Sequence, residues 1–213
     1  MGILGRNNES CLGASILRRV TTLLLAAAFC AGCHRMRPAQ LQPLYDSGMA
    51  YDTVTRLTTL KITPSEVPQI VQARQSGFSD TGCVAILEIY RSRNQSFDAG
   101  AAIAGLTGAG ASESLVLKLA ALNQLGLGAG ELQAMRLAGL SDDILLAVAQ
   151  HHAAGRPVLS GASLAGLKNL GMGSRTLFEL AERGVPDSRA AEIMKMRRRG
   201  AKDAQILHDF DGS

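Results

Sequence analysis

Two cysteines and a histidine near the N-terminus have the spacing of a redox or haem-binding site. Residues 30–34 read CAGCH, so two residues separate Cys30 from Cys33 and His34 follows directly. The pattern C-x-x-C-H is typical of covalent haem attachment, in which the histidine also ligates the iron. This spacing gives a first hypothesis, a c-type cytochrome, against which the surrounding sequence can be weighed.

The residues before this pentapeptide favour an export signal. Arg18 and Arg19 precede an apolar run over residues 20–31. A basic region followed by a short apolar region is the pattern of a secretory signal, and about a dozen residues are too few for a bilayer span, which needs about 20. Ordinary cleavage after the three alanines at 26–28 would keep both cysteines, so haem attachment stays open as an alternative.

Residues 31–33 resemble the end of a bacterial lipoprotein lipobox, in which a large aliphatic residue and two small residues precede a cysteine. Ala31, Gly32 and Cys33 match this pattern, whereas Cys30 stands where leucine is usual. The resemblance implies cleavage before Cys33, a lipid on its sulfur and acylation of the new amino group. Several acyl chains would make a stable membrane anchor. His34, as a residue other than aspartate, implies sorting to the outer membrane, on its periplasmic face.

Cleavage before Cys33 would change how many of the four cysteines remain as free thiols. If residues 1–32 form a removed signal helix and Cys33 is acylated, Cys83 is the only thiol left. No intrachain disulfide is then expected. Cys83 lies in an apolar helical run, so we interpret it as a small buried hydrophobic residue rather than a reactive thiol.

The rest of the sequence contains no clear catalytic or metal-binding pattern. The adjacent His151 and His152 would point about 100° apart on a helix, which prevents them from easily sharing a metal. No H-E-x-x-H, G-x-S-x-G or Walker A motif occurs. We therefore expect a non-enzymatic protein without a metal or cofactor.

The composition predicts a folded, all-α chain. Hydrophobic residues make up 46% and charged residues 19% of the sequence, which favours a packed core over disorder. Three of the 22 basic and one of the 18 acidic residues lie within residues 1–32, so the remainder carries a net charge of +2. This small excess is no argument for a nucleic-acid partner.

An internal repeat organises the second half of the chain. Residues 119–142 align without gaps with residues 164–187, at an offset of 45, and nine of the 24 positions are identical. A fainter copy occupies residues 57–80. Each unit reads as a pair of helices that cannot bury its own apolar face, so we predict short helical pairs stacked on one another.

A glycine, an apolar residue, any residue and an aspartate form a turn that occurs four times. The glycine suits a left-handed position after a helix, and the aspartate suits the start of the next helix, which it would cap. The four turns contain Gly77 with Asp80, Gly139 with Asp142, Gly184 with Asp187, and Gly200 with Asp203.

Glycines and prolines also suggest where the chain divides. Residues 33–45 contain two prolines and read as a tether. Residues 94–112 are rich in glycine and alanine, and each glycine costs about 1 kcal/mol in a helix. We therefore predict a linker or frayed helix there, between a first helical unit at 46–93 and a repeat domain at 113–213.

Residues 122–128 and 167–173, LNQLGLG and LKNLGMG, resemble the turn of helix–hairpin–helix modules. The second stretch is also similar to the DNA-binding C-terminal domain of the bacterial RNA polymerase alpha subunit. In such modules backbone N–H groups meet a phosphate at a helix N-terminus. The resemblance would place phosphate contacts at Gly126, Gly128, Gly171 and Gly173, with Arg175 nearby, although one residue is missing before the first glycine of each turn.

A cluster of basic residues lies close to the C-terminus. It could attract anionic lipid head groups or another acidic surface. It would equally serve as favourable charge at a helix C-terminus with a solvated face. The cluster consists of Lys195, Arg197, Arg198, Arg199 and Lys202.

Taken together, these patterns predict a lipid-anchored, non-enzymatic protein of the cell envelope that presents a helical-repeat surface to an unidentified envelope protein. The alternatives are a helix–hairpin–helix protein that binds nucleic acid or phosphate and, more distantly, a c-type cytochrome. An exported protein rarely meets DNA, which makes nucleic acid the less expected partner.

Overall fold

The computed structural model describes residues 36–126 and 129–210. The signal segment, the CAGCH pentapeptide with Cys30, Cys33 and His34, and Gly128 lie outside these residues. The division of the chain into helices and the packing of the repeats can both be read from the described part.

The described residues form twelve α-helices and no strand. The helices are α1 Pro38–Asp46, α2 Tyr51–Thr59, α3 Val67–Gln75, α4 Asp80–Ser92, α5 Gly100–Gly108, α6 Glu113–Ala121, α7 Ala129–Leu137, α8 Asp142–Ala153, α9 Gly161–Asn169, α10 Ser174–Glu182, α11 Ala190–Arg198 and α12 Asp203–Asp209. A 3₁₀ turn, Asp187–Arg189, leads into α11.

The helices alternate between two layers. The odd-numbered helices α1, α3, α5, α7, α9 and α11 pack side by side in one layer, and the even-numbered helices pack side by side in the other. Each odd helix also packs against the even helix that follows it, so residues 38–209 as described form a stack of six helical hairpins. The predicted all-α fold of stacked helical pairs is confirmed.

A glycine with positive φ ends the odd helix of every hairpin and turns the chain into the even helix. The backbone N–H of the turn glycine or its neighbour returns to the last carbonyls of the odd helix, as in Gly139 N to Arg136 O at 2.8 Å. Only glycine adopts this left-handed conformation without steric cost. The six turns contain Gly48 (φ 82°), Gly77 (100°), Gly110 (87°), Gly139 (75°), Gly171 (80°) and Gly200 (88°).

The repeat in the sequence aligns helices of one layer with helices of the other layer. Its offset of 45 residues places α6 and α7 over α9 and α10, that is, an even–odd pair over an odd–even pair. In keeping with this, Gly184 has a positive φ of 68° but follows an even helix and connects two hairpins. Gly155 and Gly184 follow even helices, whereas Lys61, Asn94 and Asn123 take the left-handed position after α2, α4 and α6, so a glycine at the end of a helix does not by itself identify the kind of connection.

The core lies between the two layers. It consists of side chains such as Leu57, Ile70, Leu87, Leu119 and Leu167, all fully buried. Cys83 is part of this core, fully buried and with a free thiol. Burial raises the pKa of its thiol to about 12. The prediction that Cys83 is a small buried residue of the core is confirmed.

The prediction of a linker or frayed helix at 94–112 is wrong where the segment forms α5, a packed helix. Helix α5 packs between α3 and α7, with Ile103 and Leu106 fully buried. Glycine has a packing role here, because a Cβ on Gly100 would lie 2.5 Å from the carbonyl oxygen of Gln69. The close approach of α3 and α5 offsets the helix penalty on which the linker prediction depended.

The predicted tether at 33–45 is likewise wrong from residue 38 onward. Pro38 is the first residue of α1, a position where a missing N–H costs nothing. Leu44 is fully buried, and α1 packs against both α2 and α3. Helix α1 therefore begins the stack.

Candidate functional site

Carboxylates at the start of four even helices, α4, α6, α8 and α12, join their hairpins to the ones before. Asp80, the first residue of α4, accepts bonds from the backbone N of Ala50 at 2.9 Å and from Thr53 Oγ1 at 3.0 Å, both at the start of α2. Asp203 of α12 accepts from the N of Gly173 and from Thr176 Oγ1, each at 2.9 Å. Each carboxylate thus caps the N-terminus of the preceding even helix.

Two more carboxylates make the same connection. Glu113 of α6 accepts from the backbone N of Ser79 at 2.7 Å, and Asp142 of α8 accepts from the N of Ser112 at 3.1 Å. The sequence analysis expected each turn aspartate to cap the helix that it begins. The structure corrects this, because the aspartate side chain reaches the neighbouring hairpin. Ser79 caps α4, and the N-cap residues of α8 and α12, Ser141 and Lys202, make no side-chain cap bond.

Arginines complete three of these junctions. Arg74, Arg136 and Arg197 each lie six residues before the aspartate. Their ion pairs with Asp80, Asp142 and Asp203 measure 2.9, 3.6 and 2.8 Å. The sequence analysis missed these arginines, although the repeated spacing was the signal that could have identified them.

Asp187 performs the equivalent function in the odd layer. Its Oδ1 accepts from the backbone N of Ser160 at 2.8 Å and from Ser163 Oγ at 2.6 Å, at the start of α9. The hydrogen bonds from Ser163 and Ser160 lower the pKa of Asp187. For Asp80, burial by itself would raise the pKa, but the bonds from Ala50 and Thr53 and the charge of Arg74 lower it overall.

A buried carboxylate binds the second and third hairpins together. Glu66 is 1% exposed and accepts from Arg91 Nη1 at 2.8 Å, from the backbone N of Phe97 at 2.7 Å and from the N of Thr63 at 2.8 Å. Burial by itself would raise the pKa of Glu66, but the bonds from Arg91, Phe97 and Thr63 outweigh it and lower the pKa to about 2. The carboxylate therefore stays charged.

The proposed phosphate contacts are not arranged as an anion site. The backbone N–H of Gly173 is bonded to Asp203, so a carboxylate stands where a phosphate would have to bind. The N–H of Gly171 is bonded to the carbonyl of Lys168. Arg175 is 91% exposed and pairs with Glu179 at 3.0 Å, while Gly126 is exposed at the edge of a cavity.

The basic cluster is smaller than the sequence suggested. Arg197 is bonded to Asp203 and to the carbonyls of Leu170, Gly171 and Ala201, so it is a structural residue. The four other side chains of the cluster are exposed: Lys195, Arg198, Arg199 and Lys202.

The two adjacent histidines lie in different environments. His151 is 6% exposed, and its Nε2 lies 3.0 Å from the carbonyl oxygen of Glu182. His152 is exposed. Within the part of the chain that the structure describes, no three histidine, cysteine or acidic side chains come together as a metal site.

In the odd layer from α3 to α9, none of the exposed helical residues is charged. We call the exposed residues of these four helices the odd-layer face: Pro68, Gln72, Gln75, Ala101, Gly108, Gly130, Ala134, Leu137, Ala162 and Asn169. Leu137, near the middle of the stack, is 69% exposed. The charged residues of these helices are only partly exposed and are bonded. Glu131, Arg136 and Lys168 bond to neighbouring hairpins, and Arg74 pairs with Asp80 of its own hairpin.

The even layer carries the exposed charge. Every helix from α2 to α10 in this layer has at least one exposed charged residue on its outward side. These residues are Asp52, Arg56, Glu88, Lys118, Asp143, Arg175 and Glu182. The two outer surfaces of the stack therefore differ strongly in charge.

One end of the odd-layer face continues into an apolar cleft between α1 and α3. Its volume is about 340 Å³. The walls carry Pro43, Pro64, Val67, Pro68 and Val71, with three glutamines at the margins. The cleft adds an apolar recess to a face that is otherwise built from small or neutral side chains.

The sequence matches no protein-family model and resembles no curated protein. Among residues 36–126 and 129–210, no helix has both the length and the apolar character of a bilayer span.

Proposed function

We propose that the chain is a lipid-anchored, non-enzymatic protein of the cell envelope whose odd-layer face binds an uncharged segment of another envelope protein. The observation that carries the proposal is the contrast between the two layers. All exposed charges of α2 to α10 lie on the even layer, and the exposed residues of α3, α5, α7 and α9 are neutral.

The energetics of desolvation favour binding at the odd-layer face. Burying an unpaired charge is strongly unfavourable, and burying a neutral, mostly apolar surface is favourable. The alanines and glycines of the face leave room for a close approach, and Leu137 and the cleft beside Pro68 supply apolar contacts. The charged even layer would meanwhile stay in water.

The proposed anchor would restrict this scaffold to a membrane surface. The basic and apolar leader and the lipobox-like residues support lipidation of Cys33, which precedes α1 by only four residues in the sequence. A multiply acylated cysteine dissociates slowly from a bilayer. The folded stack would then act close to the membrane, where envelope proteins are concentrated.

Site-specific photo-crosslinking in cells tests the docking surface. A photoreactive residue at Leu137 or Gln72, both on the odd-layer face, is expected to give the same crosslinked partner. The matched control is Gln150, which is also exposed but lies on α8 of the even layer. Equal crosslinking from Gln150, or none from Leu137 and Gln72, would contradict the proposal.

The phosphate-binding alternative receives no support from the described geometry. Gly173, one of the proposed phosphate contacts, already donates its backbone N–H to Asp203. A phosphate would have to displace a carboxylate that also binds Thr176 and Arg197. We therefore favour the protein-binding scaffold.

A further inference from the structure

A polar cavity lies where two connections between hairpins meet, away from the odd-layer face. Its volume is about 410 Å³, within the range of about 300–1,000 Å³ that is common for small-molecule sites. One connection leads from α4 to α5 and the other from α6 to α7. The lining residues are Tyr90, Gln95, Ser96, Asp98, Asn123 and Gly126.

The side chains in this cavity differ from those at comparable connections. Before α3, Glu66 is bonded to Thr63, and before α9 both Ser160 and Ser163 are bonded to Asp187. Around the cavity, no side chain has a hydrogen bond or ion pair to any described residue. No described residue therefore engages the side-chain hydrogen-bonding groups of Gln95, Ser96, Asp98, Asn123 and Tyr90.

The cavity has a rigid floor and an open backbone wall. Tyr90 is 8% exposed, and its ring packs perpendicular to that of Phe97 with 5.2 Å between centroids. Asn123 is held in a left-handed turn with φ of 59°. A Cβ on Gly126 would meet no atom within 4 Å, so a ligand can approach the main chain there.

The charge of the cavity selects the class of ligand. Asp98 is the only charged residue among the described residues that line it. The nearby Arg93 is bonded to the carbonyls of Ala120 and Ala121 at the end of α6. An anionic ligand would therefore meet the carboxylate of Asp98, while the Arg93 guanidinium is directed to backbone carbonyls and does not line the cavity.

The chemistry of the lining fits a ligand with many hydroxyl groups. A carboxylate accepts several hydroxyl hydrogens, whereas an amide or an alcohol both donates and accepts. Asp98, the amides of Gln95 and Asn123 and the hydroxyls of Ser96 and Tyr90 supply this combination. We propose that the cavity binds a neutral saccharide unit.

Calorimetric titration of the purified chain with two neutral trisaccharides tests the proposal. The probes are maltotriose, which offers only hydroxyls, and the trimer of N-acetylglucosamine, which adds amides. At least one is expected to bind with a Kd of about 1 mM or lower. Failure of both to bind at about ten times that concentration would overturn the proposal, and so would binding of inorganic phosphate at the same site.

Paired variants locate the binding. Asn123→Gly removes a lining amide and retains the left-handed turn, and Asn94→Gly is the matched control, since Asn94 has φ of 56° but does not line the cavity. Gly126→Leu would fill the open space, and Gly108→Leu is its control, with equally free space outside the cavity. Binding should weaken by about tenfold or more in the two cavity variants only.

The same variants also separate a local effect from a folding defect. Thermal unfolding of the two cavity variants should resemble that of the parent chain, because Asn123 has no side-chain bond to a described residue and a Cβ on Gly126 would meet no atom within 4 Å. Equal weakening in Asn94→Gly and Asn123→Gly would place the ligand elsewhere and overturn the proposal. The outcome is independent of whether the odd-layer face binds a protein.

Discussion

Single carboxylates in this protein are held charged by contacts across hairpins. Glu66 is the most buried of them and satisfies three donors at once: the Arg91 guanidinium and the backbone N–H groups of Phe97 and Thr63. Removing one partner of a buried ion pair typically costs about 3–5 kcal/mol, because the other charge is left without compensation. We therefore predict that Glu66 contributes strongly to the free energy of unfolding and makes this free energy depend on pH.

The pH dependence has a definite direction. The pKa of Glu66 is lowered from 4.5 to about 2, so its stabilising effect is fully present above pH 4.5 and is lost as the pH falls through about 2. The loss amounts to up to about 3 kcal/mol of the free energy of unfolding. Urea unfolding between pH 2 and 5 measures the free energy of unfolding of the Glu66→Gln variant and of the parent chain. This free energy should change much less with pH in the variant than in the parent.

Glu88→Gln is the matched control for this measurement. Glu88 pairs with Arg56 at 3.2 Å, but both side chains are about half exposed, and such pairs contribute about 0–1 kcal/mol. Its pH profile should follow that of the parent. If Glu66→Gln and Glu88→Gln gave the same profile, the account of the buried carboxylate would be wrong.

At the scale of helices, side chains of one hairpin bond to the helix ends of a neighbouring hairpin. Helix α6 illustrates this, because Ser112 caps it locally through Leu115 N at 3.1 Å while Asp142 of α8 binds the backbone N of Ser112 itself. Close packing in the odd layer has a separate origin in glycines such as Gly100 and Gly161. Two comparisons of variants test these interactions.

Asp142 and Asp143 are adjacent acidic residues in the first turn of α8. Both interact favourably with the helix dipole, worth about 0.3–1 kcal/mol, but only Asp142 caps α6 and pairs with Arg136. Asp142→Ala should lower the free energy of unfolding by about 1–2 kcal/mol more than Asp143→Ala does. Urea denaturation measures both, and equal effects would contradict the junction between hairpins.

Alanine substitutions at Gly100 and at Gly108, the two ends of α5, should change the free energy of unfolding in opposite directions. A Cβ on Gly100 would lie 2.5 Å from the Gln69 carbonyl, whereas a Cβ on Gly108 would meet nothing within 4 Å. Gly108→Ala should stabilise the chain by up to about 1 kcal/mol through helix propensity. Gly100→Ala should destabilise it by about 1–3 kcal/mol through overpacking. A stabilising Gly100→Ala would show that α3 and α5 are not closely packed.

At the scale of the whole molecule, sequence patterns predicted the fold class but not the layers. Turn glycines such as Gly139 and N-cap residues such as Ser141 are local signals, and they indicated short helices correctly. Layer membership depends on contacts between helices about 30 residues apart. For this reason the sequence analysis paired helices of opposite layers and interpreted α5 as a linker.

The same limitation applies to the candidate surfaces. The uncharged odd-layer face becomes visible only when the layer of each helix is known, because its residues are scattered over four helices. The cavity at Tyr90 and Asn123 likewise joins two loops that are distant in sequence. The spacing of six between Arg74 and Asp80, and in two later pairs, was by contrast readable from the sequence alone.

The lipid anchor is the central claim of the functional proposal, and the N-terminal peptide tests it most directly. Mass spectrometry of the chain purified from the membrane fraction should find Cys33 as the first residue, carrying a diacylglyceryl thioether and an acylated amino group. A soluble, unlipidated chain that begins at Phe29 and retains both Cys30 and Cys33 would contradict the account.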